Sequence, residues 1–318
     1  MKSRSLQSKL FFAYISLACL ILFSFAVFFY AFVSRQLKQS QISAMNTLNS
    51  SFQTQVDSAI RNLDAVSVNI NYSNQSKTIL DNSFNLNISS NMLSAMSDLF
   101  ISLSGTELKA DQVNLYDFSG YVLEAGISTM VKKTDGSKDE WIEAARELEG
   151  KKVLTPPYCT REYTKSATYD QWFISLYRSF NNQYKRGVGV IETAKQCKSV
   201  FKSIITYKKK NHEDAASVYV FDSNGDLIYP YDISQEYKAA LQPYYELTKV
   251  DDSALTLTSP LTGRTEYAAE CVSAYTGYTY LTIQPESVVL APVYNLLRIL
   301  AAIVALFLTV SILSLIHI

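Results

Sequence analysis

Val113-Asn-Leu-Tyr-Asp-Phe-Ser-Gly-Tyr-Val-Leu123 spells out a β-hairpin. Apolar residues alternate into Asp117, Asp117-Phe-Ser-Gly120 supplies a tight turn whose glycine is free to take positive φ, and Tyr121 to Leu123 carries the chain back. The same pattern returns 105 residues later as Val218-Tyr-Val-Phe-Asp-Ser-Asn-Gly-Asp-Leu-Ile228, with Phe221 where the first copy has Tyr116. Two hairpins of one grammar at domain-sized spacing imply two similar modules in tandem.

The downstream segments repeat too. After the first hairpin the pattern predicts a helix (Asp139 to Leu148), a strand (Gln171 to Phe180), a turn (Asn181 to Arg186) and a strand (Gly187 to Thr193). After the second it predicts a helix (Ser234 to Thr248), a strand (Ala254 to Ser259), the turn Thr262-Gly-Arg264, and strands Glu266 to Ser273 and Tyr278 to Gln284. Lys195 to Lys208 reads as an amphipathic connecting helix with Cys197, Val200, Phe201, Ile204 and Ile205 on one face. The expected class is α+β.

Upstream, Gln36 to Asn69 contains no Pro or Gly and reads as one long helix. Its apolar residues Met45, Leu48, Phe52, Val56, Ala59, Leu63 and Val66 fall at steps of 3 or 4. Such a stripe packs along a partner helix, giving a homodimer, or covers the domain's own sheet; the sequence leaves both open. Asn71 to Ser90, rich in Ser and Asn, reads as a loop.

The chain's two ends are apolar. Leu10 to Val33 is 24 residues without a charge, enough to cross ~30 Å of hydrocarbon at ~1.5 Å per residue, and Ile299 to Ile316 is another 18. The first run is longer than a signal-peptide core and ends in Phe28, Phe29, Tyr30 and Phe32, so it reads as an uncleaved anchor. Lys2, Arg4 and Lys9 before it, against Arg35 and Lys38 after it, favour a cytoplasmic N-terminus. The expected order is therefore a cytoplasmic tail (1–9), a span (10–33), an extracytoplasmic domain (34–285), a juxtamembrane helix (286–298) and a second span (299–318). Within the domain come the long helix (36–69), a distal module (about 90–194), the connecting helix (195–208) and a proximal module (about 215–285).

Charge and rare residues narrow the function. The whole chain has 29 basic and 29 acidic residues; without Lys2, Arg4, Lys9 and Arg298 the insert keeps 25 basic against 29 acidic, and no basic stripe offers itself to nucleic acid. His212 and His317 are the only histidines, which argues against a His-built metal site, a Ser-His-Asp triad or a phosphoacceptor here. No metal or cofactor is expected. Pairs such as Glu140 and Glu143 suit a solvated helix face, and no Ser or Cys nucleophile has a His to activate it, so this chain is not expected to be an enzyme. Cys159, Cys197 and Cys271 are an odd number; Cys159 and Cys197 are either a disulfide or two reduced thiols.

Particular motifs carry a resemblance. Trp141-Ile-Glu-Ala-Ala145 opening a helix, Val153-Leu-Thr-Pro-Pro-Tyr158, Phe173-Ile-Ser-Leu-Tyr-Arg178 and Gly187-Val-Gly-Val-Ile-Glu192 leading into a helix resemble the double Cache (dCache) region of YesM-type sensor histidine kinases of Gram-positive bacteria. The likeness spans Met1 to about Ile312 and implies two PAS-like Cache modules on a long N-terminal helix between two transmembrane helices. Its motifs specify fold better than output. Such proteins continue past the second span into a HAMP helix pair, a dimerisation helix and a kinase domain. Leu313-Ser-Leu-Ile-His-Ile318 resembles the translation of a transposon end used in library preparation, so the expectation is a chain truncated within its second span.

The resemblance also implies a ligand pocket in the distal module, between the sheet and the segment containing Trp141. Candidate contacts are Tyr116, Trp141, Tyr158, Arg161, Asp170, Trp172 and Tyr177, an Arg to grip a carboxylate and aromatics to stack on a ring. The structural alternative is that Trp141 anchors the helix, Tyr116 packs as Phe221 does, and Arg161 is solvated. The amino-acid-binding subclass carries an Arg two residues before this Trp, whereas here Asp139 holds that position, which argues against a free amino acid. A carbohydrate, another small metabolite or an extracellular binding protein stays open. The expected function is the sensing half of a membrane histidine kinase; the alternative is the same input on a methyl-accepting chemotaxis receptor or a cyclic-dinucleotide cyclase.

Overall fold

The structure is a computed structural model and describes residues 6–74, 76–77, 90–105, 108–161, 170–181, 187–211, 216–249 and 256–317. The chain forms two compact units, one of Met1–Leu48, Val250–Ala269 and Thr282–Ile318, the other of Asn49–Lys249 and Glu270–Leu281.

Helix α1 (Leu6–Tyr72) takes in both the first apolar run and the 3/4 stripe. Nothing in those 67 residues breaks it, because no Pro or Gly occurs. Five of the seven stripe residues pack inside the chain, Met45, Phe52, Val56, Leu63 and Val66 being none more than 3% exposed, while Leu48 and Ala59 are half-buried. Met45 packs with Ile42, Tyr267, Ala269 and Val289, while the Phe52 ring meets Tyr207 edge-on at 5.6 Å. This is the packing within the chain that the second reading of the stripe expected.

The larger unit holds a seven-stranded antiparallel sheet. Helix α2 (Ser90–Ser104) leads into β1 (Gln112–Asp117), β2 (Tyr121–Gly126) and β3 (Met130–Lys133); helix α3 (Asp139–Glu147) follows, then β4 (Lys152–Leu154), β5 (Tyr158–Thr160), β6 (Gln171–Asn181) and β7 (Gly187–Gln196). Strand order is β3-β2-β1-β7-β6-β4, with β5 also paired to β6. The short α4 (Cys197–Val200) and α5 (Lys202–Asn211) connect to β8 (Ser217–Phe221) and β9 (Leu227–Tyr229). Helix α6 (Gln235–Thr248), β10 (Thr256–Thr258), β11 (Thr265–Val272), β12 (Thr279–Pro285), α7 (Glu286–Val289) and α8 (Ala291–His317) complete the chain. The second sheet runs β10-β11-β12-β8-β9.

Both repeat hairpins form, and by the same device. The Asp117 carboxylate accepts from the Ser119 and Tyr121 backbone N–H groups at 3.1 and 2.8 Å; Asp222 accepts from Asn224 and Asp226 at 2.9 and 2.8 Å. Gly120 and Gly225 sit at φ +86° and +91°, which the turn requires and side chains resist.

Two expectations change. The connecting helix does not begin at Lys195, because β7 pairs with β6 as far as Gln196, whose N–H donates to Asp111 at 2.9 Å. Nor is it continuous, since α4 ends at Val200 and buried Phe201 lies between it and α5. Cys159 and Cys197 are free thiols, the first exposed and the second buried. Residues 182–186 of the expected turn, most of Asn71 to Ser90, His212 and Ile318 lie outside the described residues. Helices α1 and α8 are both long and apolar enough to cross a membrane.

Candidate functional site in the distal module

Pleat and register assemble the site. Glu124 of β2 lies opposite Asn114 of β1, Asn114 opposite Glu192 of β7, Glu192 opposite Tyr177 of β6, and Tyr177 opposite Val153 of β4. These residues form one row across one face of the sheet. Helix α3 packs on that face through Trp141, Ile142 and Ala145, against Tyr116, Val122, Tyr177 and Val190. Asp139 and Glu140 in its first turn and Arg146 in its last suit the helix dipole.

Glu192 is the centre. Its carboxylate is fully buried and takes five donors: the Tyr116 hydroxyl at 2.6 Å, the Asn114 amide at 2.7 Å, the Ser175 hydroxyl at 2.6 Å, the Tyr158 hydroxyl at 3.0 Å and the Lys138 ammonium at 3.3 Å. Burial alone would raise its pKa, but Lys138 and the hydrogen bonds outweigh it and hold the acid at about 2. The same burial, with the neighbouring carboxylate, pushes the Tyr116 and Tyr177 hydroxyls well above their ordinary range. So many donors fill the lone-pair positions of a carboxylate, so Glu192 fixes the walls of the site and is not itself a ligand contact.

Beside this hub is a cavity of about 90 Å³ lined by Tyr116, Glu124, Lys132, Lys138, Asp139 and Ile142 among others. Glu124 is buried and accepts from Lys132 at 3.0 Å and from Ser128 at 2.8 Å. Three carboxylates (Glu124, Asp135 and Asp139) and three ammonium groups (Lys132, Lys133 and Lys138) thus meet at one small space, where a polar molecule carrying both donors and acceptors can be held.

The seven candidate residues divide into two places. Tyr116, Trp141, Tyr158 and Tyr177 stand together: the Trp141 ring lies 5.1 Å from Tyr158 and 5.8 Å from Tyr177, and Tyr116 lies 6.3 Å from Tyr177. Arg161, Asp170 and Trp172 are elsewhere. Arg161 and Asp170 form an exposed ion pair, and Trp172 meets Tyr231 at 5.8 Å. The cause is parity, because residues 172 and 177 of one strand point to opposite faces. Sequence reasoning missed Glu192, Lys138, Asn114 and Ser175. A lone acid in Gly187-Val-Gly-Val-Ile-Glu192, within a strand otherwise built for burial, was the available signal.

No family model matches the chain, and no curated protein matches it. Solved structures do. The sensory domain of the Campylobacter jejuni chemoreceptor Tlp3 is similar at TM-score 0.55 and 13% identity, over 81% of this chain and 99% of that one. The periplasmic sensory domain of the Campylobacter jejuni chemoreceptor Tlp1 gives 0.55 and 12%, over 80% and 99%. The ligand-binding domain of Mlp24 with asparagine gives 0.52 and 15%, over 83% and 98%. At these identities the likeness establishes the fold alone: an α+β architecture with a long N-terminal helix and two antiparallel sheets.

Proposed function

We infer that this chain is the ligand-sensing input region of a transmembrane receptor, with residues 34–298 outside the membrane and α1 and α8 anchoring it. The observation that carries the reading is the charged cavity on the distal sheet, walled by Tyr116, Lys132 and Lys138 and held in shape by Glu192. The cavity's size and mixed charge favour a small polar metabolite. A free amino acid is disfavoured, since Asp139 stands in the wall where the amino-acid-binding subclass places an Arg. The Tlp3 domain has been solved with isoleucine and the Mlp24 domain with asparagine; this chain presents a different wall.

The output we propose is a histidine kinase, on the YesM-type motifs around Trp141, Tyr158 and Glu192. The same input on a chemotaxis receptor is the second reading, favoured by the chemoreceptor neighbours. Thermal unfolding of the full chain in lipid nanodiscs, with panels of amino acids, small organic acids and sugars, tests the sensing function. A true ligand at about 100 times its Kd adds ~2.7 kcal/mol of stability, and Lys132→Ala should abolish that increment. A response untouched by Lys132→Ala would remove the cavity from the mechanism. The sequence of the gene downstream of the second span distinguishes the outputs.

A further inference from the structure

A further opening lies away from the Glu192 hub. It is a groove of about 360 Å³ lined by Asp170, Gln171, Trp172, Gln196, Tyr231 and Asp232, with Lys198 at its side. That volume falls within the roughly 300–1,000 Å³ of small-molecule clefts and is about four times that of the distal cavity, so it admits a larger ligand. Its chemistry is also distinct.

Two aromatic rings form its apolar surface. Trp172 and Tyr231 are both half-buried, with centroids 5.8 Å apart and planes at 47°. Tyr231 is itself braced by the Phe201 ring at 5.9 Å and the Tyr229 ring at 6.0 Å, so the platform is ordered before anything binds. Planar polar groups stand beside it. Gln196 donates to Gln171 at 2.8 Å, an arrangement that uses one amide hydrogen of Gln196 and one acceptor of Gln171 and leaves each amide with further capacity. Asp232 is an exposed acceptor at the rim.

Charge decides the class of ligand. Asp170 is engaged by Arg161, Lys198 and Asp232 both line the groove, and Lys238 stands by the Trp172 ring, so neither sign dominates. A cation would meet Lys238, already 5.9 Å from the Trp172 ring centre; an anion would meet Asp232. A neutral molecule with apolar C–H faces and many hydroxyls meets stacking surface and amide and carboxylate partners together. We propose that this groove is a second binding site, separate from the distal cavity, and that it takes a neutral carbohydrate.

The chain has two tryptophans, so Trp141→Phe leaves Trp172 as the sole reporter, inside the groove. This variant of the full chain in nanodiscs is titrated with maltose, cellobiose and xylobiose, followed by Trp172 emission, with choline as a cationic control. A saturable change with at least one disaccharide, weakened about tenfold by Tyr231→Ala and several-fold by the rim variant Asp232→Asn, is expected. If Tyr231→Ala does not fold, Asp232→Asn and Gln171→Ala carry the test. No saturable change with any disaccharide up to roughly 50 mM, a change undiminished in the folded variants, or a response to choline alone would overturn the proposal.

Discussion

Lys138 and Glu192, 54 positions apart in sequence, form an ion pair of 3.3 Å in which the carboxylate is fully buried and the ammonium nearly so. Removing one partner of such a pair leaves an uncompensated buried charge, which costs ~3–5 kcal/mol. Lys138→Met should therefore destabilise the chain by that amount in chemical unfolding. Lys138→Met with Glu192→Gln should cost less than the sum of the two single changes, because the residues couple directly. Additive costs would mean that the pair does not hold the site together.

Acid should act through the same carboxylate. Glu192 titrates near 2 when folded against an ordinary 4.5, and a depressed folded pKa contributes stability above the unfolded value that is lost as pH falls. The window is therefore about pH 4.5 down to 2, and the contribution at neutral pH is about 3 kcal/mol. Unfolding free energies at pH 6, 4.5 and 3 should fall steeply for the native chain and more gently for Glu192→Gln. Parallel curves would assign the acid sensitivity to other groups.

Placing Asp at Phe52 tests what the α1 stripe is for. Phe52 is buried within the chain, so a charge there should cost at least ~3 kcal/mol and appear as lowered thermal stability and faster limited proteolysis. A well-folded monomer obtained from a dimer would show instead that the stripe belongs to an interface between copies.

The two hairpin turns should respond unequally to one substitution. A Cβ on Gly225 would come within 2.4 Å of the Tyr245 ring, whereas on Gly120 its nearest neighbour is 3.9 Å away; both residues have positive φ. Gly120→Ala should cost ~1 kcal/mol from backbone strain, and Gly225→Ala distinctly more because ring and backbone must both shift. Equal losses in melting temperature would refute this ranking.

The hairpins were legible in the sequence because their cause is local. Asp117 and Asp222 each bond to backbone two and four residues ahead, and their glycines release the turn. The short β3, β4 and β5 were not, since three or four residues carry no readable alternation. The Glu192 hub gathers donors from Asn114, Tyr116, Lys138, Tyr158 and Ser175, a set brought together by the register of four strands and a helix. No spacing in the chain announces it. The separation of Trp172 from Tyr177 was readable in principle, as an odd offset within one strand.

The ends of the seven-stranded sheet have a consequence for how the chain can associate. On one side its last strand is β3, four residues long and bearing Lys132 and Lys133; on the other β6 is flanked by two three-residue strands, β4, opening with Lys152, and β5. A short strand with lysines is a poor template for a foreign strand, since it offers few unpaired backbone groups and charges that resist desolvation. This sheet is guarded against fibrillar growth from its own margins.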